Sequence, residues 1–443
     1  MRSSIQGIAA SIGRKSLLIL ATGLVGLTAL SAAPTAFAAD RFVPAAAEPG
    51  TDIPASTIKF GMRPYADNTF YIIGMKKGWF SDVGISFDPA PYGLKANDSN
   101  VTTLLLNGQL DLISEFCPLM LPTYKDSTKL KCVGFTDNFL ANAILANPKL
   151  KLKTFKEYIA EGKTYEEALK ATLAPMKGKT LVGAPQLSDR AFEEYLNKTS
   201  GAGFKLQVLD DAKSLVLAKA DREDFVNPEG APIVYTLRQA GWTSLVDIGD
   251  LIKYGPGGVD SPIEPLIGIV GLGANSDWVN ANQNTLLRFM SVVWHIIDAT
   301  KADPSLYDLQ APYLNSVAGT DLDGKGVEAT VNILHPFTPF AGNAEYYDNN
   351  KATSYYANVW SAVIKDFEAH KIIPAGITAD DVVWGGPIWH QMVEYKAKTD
   401  ELLTKINGMT LSSDKQALVD RAKTFYANYD FLDAYRLALA AST

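Results

Sequence analysis

An α/β fold of two lobes, each built on a mainly parallel sheet, is what the sequence predicts, and three observations predict it. Short apolar strands alternate with helical stretches from residue 57 onward, the same alternation restarts near residue 180, and the chain of 443 residues is long enough for two cores. Hydrophobic residues make up 47% and charged residues 20%, which excludes disordered and collagen-like classes.

The first 38 residues stand apart. Arg2, Arg14 and Lys15 precede the apolar run SLLILATGLVGLTAL, and Ala36-Phe37-Ala38 offers a small-residue cleavage site, so an export signal cut after Ala38 is expected. The run is too short for a comfortable membrane span, and no later stretch approaches that length. Without the signal's three basic residues, 38 basic face 48 acidic ones, a net charge of −10. That sign disfavours nucleic acid and anionic membranes as partners. No cysteine follows the apolar run to carry a lipid, which favours a free protein in a periplasm. Residues 39–56 are Ala/Pro-rich and aperiodic, a flexible leader that need not fold.

The elements then follow in order. IKFGM (58–62) is a strand; Asp67 or Asn68 can cap a helix through YIIGMKKG that Gly78 ends. A strand at 85–87, a helix ended by Gly108, a strand at 110–114, a short helix from Pro118 and a strand at 130–135 complete the first run. In the second run come a strand at 180–184, a helix capped by Ser188 or Asp189 and closed by Gly201, and a strand at 205–209. A helix through SLVLAKA, a strand at 223–227, a helix through PIVYTLRQAG and a strand at SLVDIG follow. The charged, helix-periodic stretch 149–178 reads as an insertion on one lobe, and IEPLIGIVGLGA as a strand returning to the first. Leu286, Met290, Val293, Trp294 and Ile297 share a helical face that belongs in a core. The tail from 391 is helical and should pack outside a lobe. This gives 57–143 as the first part of lobe 1, 144–264 as lobe 2, and 265–443 as the return to lobe 1 with C-terminal helices.

Catalytic apparatus is scarce. His295, His335, His370 and His390 are dispersed without zinc-ligand spacing, and there is neither a nucleophile elbow nor a dinucleotide fingerprint, so no metal and no cofactor is expected. GKT (178–180) lacks the first glycine of a phosphate loop, Leu173 standing there, and DLDGKG (321–326) lacks calcium-loop ligands at Gly319 and Thr330, which makes it a turn. Cys117 and Cys132 can pair in an oxidising compartment or remain two buried thiols.

Open parallel sheets bind ligands beyond the carboxyl ends of their strands. At those places stand Arg63, Tyr65, Asp67 and Asn68, then Tyr92, Glu115, Phe116, Asp137 and Asn138. In the second run they are Gln186, Ser188, Asp189, Arg190, Asn227, Glu229 and Gly230.

The segments IKFGMRPYADNTFYIIGMKKGWFSDVGISFD, TLLLNGQLDLISEFCP and MKGKTLVGAPQLSDRAFEEYL resemble the periplasmic substrate-binding proteins of ABC importers for nitrate, sulfonates, taurine and thiamine-pyrimidine precursors. The resemblance spans residues 57 to about 300; the 149–178 insert and the tail, with FTPFAGNAEYYDNN (337–350), exceed the family plan. It implies a type II periplasmic binding protein, two α/β lobes joined by a two-crossing hinge near Ala141–Leu145 and Pro262–Gly268, closing on a solute. It carries the same candidates into the cleft, Tyr92 and Gln186 apart. The implied partners are a small-molecule solute and an inner-membrane ABC permease, with the protein a monomer. Arg63, Arg190 and helix N-termini suit a sulfonate or nitrate, whereas the crowd of carboxylates suits a neutral or amine-bearing molecule. Two other readings are an enzyme of the thiamine-pyrimidine-synthase type and a sensor partner. The export signal and a cleft without histidine count against the enzyme.

Overall fold

The structure, a computed structural model, describes residues 41–443 other than 98, 185, 186, 257–260, 264, 265 and 353, with positions 187 and 188 in backbone only. The expected export signal lies outside the described residues, as does Gln186.

Twelve strands are described: β1 (Ser56–Ile58), β2 (Phe60–Met62), β3 (Ile85–Phe87), β4 (Leu94–Lys95), β5 (Leu112–Glu115), β6 (Leu130–Phe139), β7 (Ala143–Ala146), β8 (Thr180–Gly183), β9 (Lys205–Val208), β10 (Phe225–Asn227), β11 (Thr243–Asp247) and β12 (Gly268–Asn275). One five-stranded sheet has the order β4-β2-β5-β12-β6, the other β11-β7-β10-β8-β9, and β1 pairs with β3. Every antiparallel ladder involves β7 or β12. These are the strands that follow the two passages between sheets, β6 to β7 and β11 to β12. A chain that passes between sheets at the carboxyl ends of their strands enters the new sheet running backwards. The remaining ladders are parallel.

Period-two alternation places Leu181 and Phe225 in one core of the second sheet and Val182 and Val226 in another on its opposite face. Helices Phe155–Ala160 and Tyr165–Leu173 cover the first of these through Phe155, Leu169 and Leu173. The second reaches across to Phe139, Val270 and Leu334 beside the first sheet. The first sheet's own core takes the expected stripe of helix Gln283–Ala302, including Met290 and Trp294. Among the described residues no helix is long and apolar enough to cross a membrane.

Three expectations need correction. Asp67 and Asn68 do not cap a helix: they lie inside the short helix Ala66–Thr69, which has no side-chain cap, and both are buried. Ser188 and Asp189 sit within helix Leu187–Ser200 rather than before it. From residue 41 to 55 the leader has no helix or strand, yet it is anchored rather than flexible: Ala45 N donates to Gln283 Oε1 at 2.6 Å, Gln391 Nε2 donates to Ala45 O at 2.8 Å, and Phe42 packs 5.8 Å from Trp384. Tertiary partners distant in sequence supply what local pattern cannot. Gly78 ends helix Tyr71–Lys77 at φ 80°, as expected. Cys117 and Cys132 are both buried and free.

Candidate functional site

β2 ends at Met62, and the next residue, Arg63, is only 2% exposed. Its Nη1 lies 3.1 Å from Glu115 Oε1, at the end of β5 in the same sheet, and its Nη2 donates to Glu229 Oε1 at 2.8 Å, just past β10 in the other sheet. The guanidinium stacks 4.7 Å over the Tyr65 ring, and Tyr65 Oη donates to Glu229 Oε2 at 3.0 Å. One cation therefore joins the carboxyl ends of both sheets. The Glu229 loop is held from behind by Asp211, whose carboxylate accepts from Glu229 N at 3.0 Å and Gly230 N at 2.6 Å. A Cβ at position 230 would stand 2.8 Å from Asp211 Oδ2, so any side chain there would have to push that carboxylate off the two amides it holds.

Beside this pair lies a second cluster. His335 ends the turn after helix Gly324–Leu334, with Nδ1 2.8 Å from Asp137 Oδ2 and Nε2 3.5 Å from Asp67 Oδ1. Thr136 Oγ1 donates to Asp137 Oδ1 at 2.7 Å, and the Asn68 amide donates to Asp67. All three titratable groups are at most 2% exposed. Burial pushes the Asp67 carboxyl up to about 6 against the pull of His335. Burial would depress the imidazole, but Asp67 and Asp137 overrule it and its pKa is raised. The three side chains bring one donor atom each within 4.8 Å of one another. Because His335 Nδ1 already faces Asp137, a metal on Nε2 would have Asp67 as its direct carboxylate partner and Asp137 behind the ring.

Asp189 is fully buried, and neither carboxylate oxygen has a hydrogen-bond partner among the described residues. Burial raises its pKa well above the ordinary range, reinforced by Glu229, Asp211 and Glu193 and opposed by Arg63. The other candidates divide. Phe116 lines the same space, its ring 6.4 Å from Phe139. Asn227 instead pins structure, accepting from Ala143 N at 3.2 Å and donating to Glu193 Oε1 at 3.1 Å. Arg190 is exposed, Asn138 is half-buried on β6, and Tyr92 packs against Tyr313 at 6.0 Å. Ser188 is described in backbone only.

Two cavities adjoin here. One of about 20 Å³ is lined by Arg63, Tyr65, Asp67, Phe116, Phe139, Glu229, Val270 and His335. The other, about 210 Å³, shares Tyr65 and Glu229 and is otherwise walled by Asp210, Asp211, Gly230, Ile233, Ala318 and neighbouring apolar side chains. Sequence reasoning missed His335, Phe139 and Asp211. Asp211 opens the helix after β9 and obeys the strand-end rule; His335 gave no local signal. The expectation of a cleft without histidine is thus overturned.

No family model and no curated protein matches the sequence. Among solved structures, the alkanesulfonate-binding protein SsuA from Xanthomonas axonopodis pv. citri, bound to MOPS, is 15% identical, with 75% of this chain and 99% of that chain covered and a TM-score of 0.50. The periplasmic aliphatic sulphonate binding protein SsuA from Escherichia coli is 14% identical over 74% and 92%, with a TM-score of 0.51. The periplasmic nitrate-binding protein NrtA from Synechocystis PCC 6803 is 14% identical over 76% and 88%, also at 0.51. At such identities the likeness is one of fold: the chain has the periplasmic binding protein fold, two α/β lobes whose strand ends face each other across Arg63.

Proposed function

We propose that this protein is the solute-binding component of an ABC import system, exported to the periplasm, which captures a small polar organic molecule between its lobes and hands it to a membrane permease. The observation that carries the reading is the bridge from Arg63 to Glu115 on one sheet and Glu229 on the other. Groups that meet only when the lobes are together are what a protein needs to couple capture to closure. The fold neighbours, named as sulfonate- and nitrate-binding proteins, support the solute-binding role. The expected monomer and the acidic charge suit free diffusion to a permease.

The test is a thermal-shift screen of the mature chain against sulfonates, nitrate, pyrimidines, polyamines and aromatic acids. At least one compound should raise the melting temperature progressively with concentration. A flat response to every class would remove the reading. His335 between two carboxylates favours a second reading, an enzyme using a proton relay; product formation by the purified protein alone would establish it.

A further inference from the structure

The cleft is overloaded with negative charge. Among the described residues, Asp67, Glu115, Asp137 and Glu229 pair with one guanidinium, Arg63, and one imidazole, His335, and Asp211 adds a further carboxylate on the wall of the larger cavity. Arg63 already holds two carboxylates, so an anionic solute would have to displace one of them and then sit among the rest. Asp67, on the wall of the small cavity and 2% exposed, has one oxygen, Oδ1, with no hydrogen-bond partner among the described residues, its nearest cation being His335 Nε2 at 3.5 Å.

Resting on the solute-binding reading above, we propose that the cleft takes a small primary amine in its protonated form. The ammonium head occupies the small cavity between Asp67 and Glu229, and the organic body lies in the larger cavity beyond the shared wall of Tyr65 and Glu229. About 20 Å³ is room for one water-sized group. Phe116 and Phe139 offer ring faces to a cation there. The larger cavity, about 210 Å³, has apolar walls in Pro64, Pro232, Ile233, Val317 and Ala318 that suit a short hydrocarbon skeleton. This ligand class is opposite in charge to those named for the fold neighbours.

The experiment is calorimetric titration of the full mature chain with matched probes on two skeletons, butyl and 2-phenylethyl, each as amine, sulfonate and alcohol. At least one amine should bind ten-fold or more tightly than its sulfonate and alcohol counterparts. Asp67→Asn should weaken that amine ten-fold or more, with a melting temperature at or above the wild type near neutral pH because burial disfavours the ionised carboxyl it removes. Sulfonate or alcohol binding as tight as the amine overturns the inference, and so does amine affinity untouched by Asp67→Asn. Failure of every amine also overturns it. If another class in the thermal-shift screen then stabilises the protein, the solute-binding reading survives; if none does, both fall.

Discussion

Among the described residues stand two buried clusters of arginine and carboxylate, and they are built on opposite terms. Where the leader, helix Gln283–Ala302 and the last helix Phe431–Ser442 meet, Arg288 grips Asp433 with Nε at 2.7 Å and Nη2 at 3.0 Å and also pairs with Glu48. Arg436 reaches the same Asp433, and its Nε donates to Glu48 O at 2.8 Å. Two guanidiniums meet two paired carboxylates, while burial keeps nearby Asp430 well above the usual carboxylate range. At the cleft, among the described residues, a single guanidinium and an imidazole meet four acids, Asp67, Glu115, Asp137 and Glu229. A balanced buried cluster fastens distant segments together; an unbalanced one leaves a place for a charge the protein does not itself supply.

The comparison can be broken most forcefully at the balanced cluster. Asp433→Ala leaves Arg288 and Arg436 without their shared acceptor and should cost about 3–5 kcal/mol in urea denaturation. An unchanged midpoint would mean the cluster fastens nothing. At the cleft the effects are smaller and depend on pH. Asp67 titrates at about 6 when folded, against 3.8 for an unperturbed aspartate, so the folded state holds that proton more tightly. Its stabilising contribution is complete below pH 3.8, declines as pH rises to about 6, and is absent above. The raised pKa of His335 works in the same sense at higher pH. Asp67→Asn should remove a decline on the order of 2 kcal/mol between pH 4 and pH 7, read from denaturation midpoints. A variant with the wild-type slope would place that titration elsewhere. Glu229→Gln should be mildest in stability, about 1 kcal/mol, because Arg63 keeps Glu115 and a Gln oxygen still accepts at position 229, so no buried donor is left without an acceptor. A loss as large as that at Asp433 would show that the cleft is scaffold too.

Much of this is legible in the chain, for local reasons. Strands such as β3, β8 and β10 announce themselves by apolar runs between turn residues, and Gly78 and Gly201 mark helix ends by adopting positive φ. The strand-end rule singles out Arg63, Glu115 and Glu229 without any geometry, and the structure brings these three together. What escapes is contact across the sequence. His335 arrives 198 residues after Asp137, and nothing around it marks it as a cleft residue rather than the end of a helix. The leader lacks any period, yet Gln283, Gln391 and Arg436 hold it with bonds spanning hundreds of residues. Asp67 and Asn68 have the composition of caps, but burial beside Arg63 and His335 gives them other partners.

Closure across the two sheets is tested most directly by small-angle scattering from the wild type and Glu229→Gln, both free of solute. Arg63 and Tyr65 follow β2 of one sheet, whereas Glu229 follows β10 of the other, so the substitution removes the ion pair that spans them. The account predicts a larger radius of gyration for the variant with unchanged secondary structure by circular dichroism. Superimposable scattering curves would contradict it.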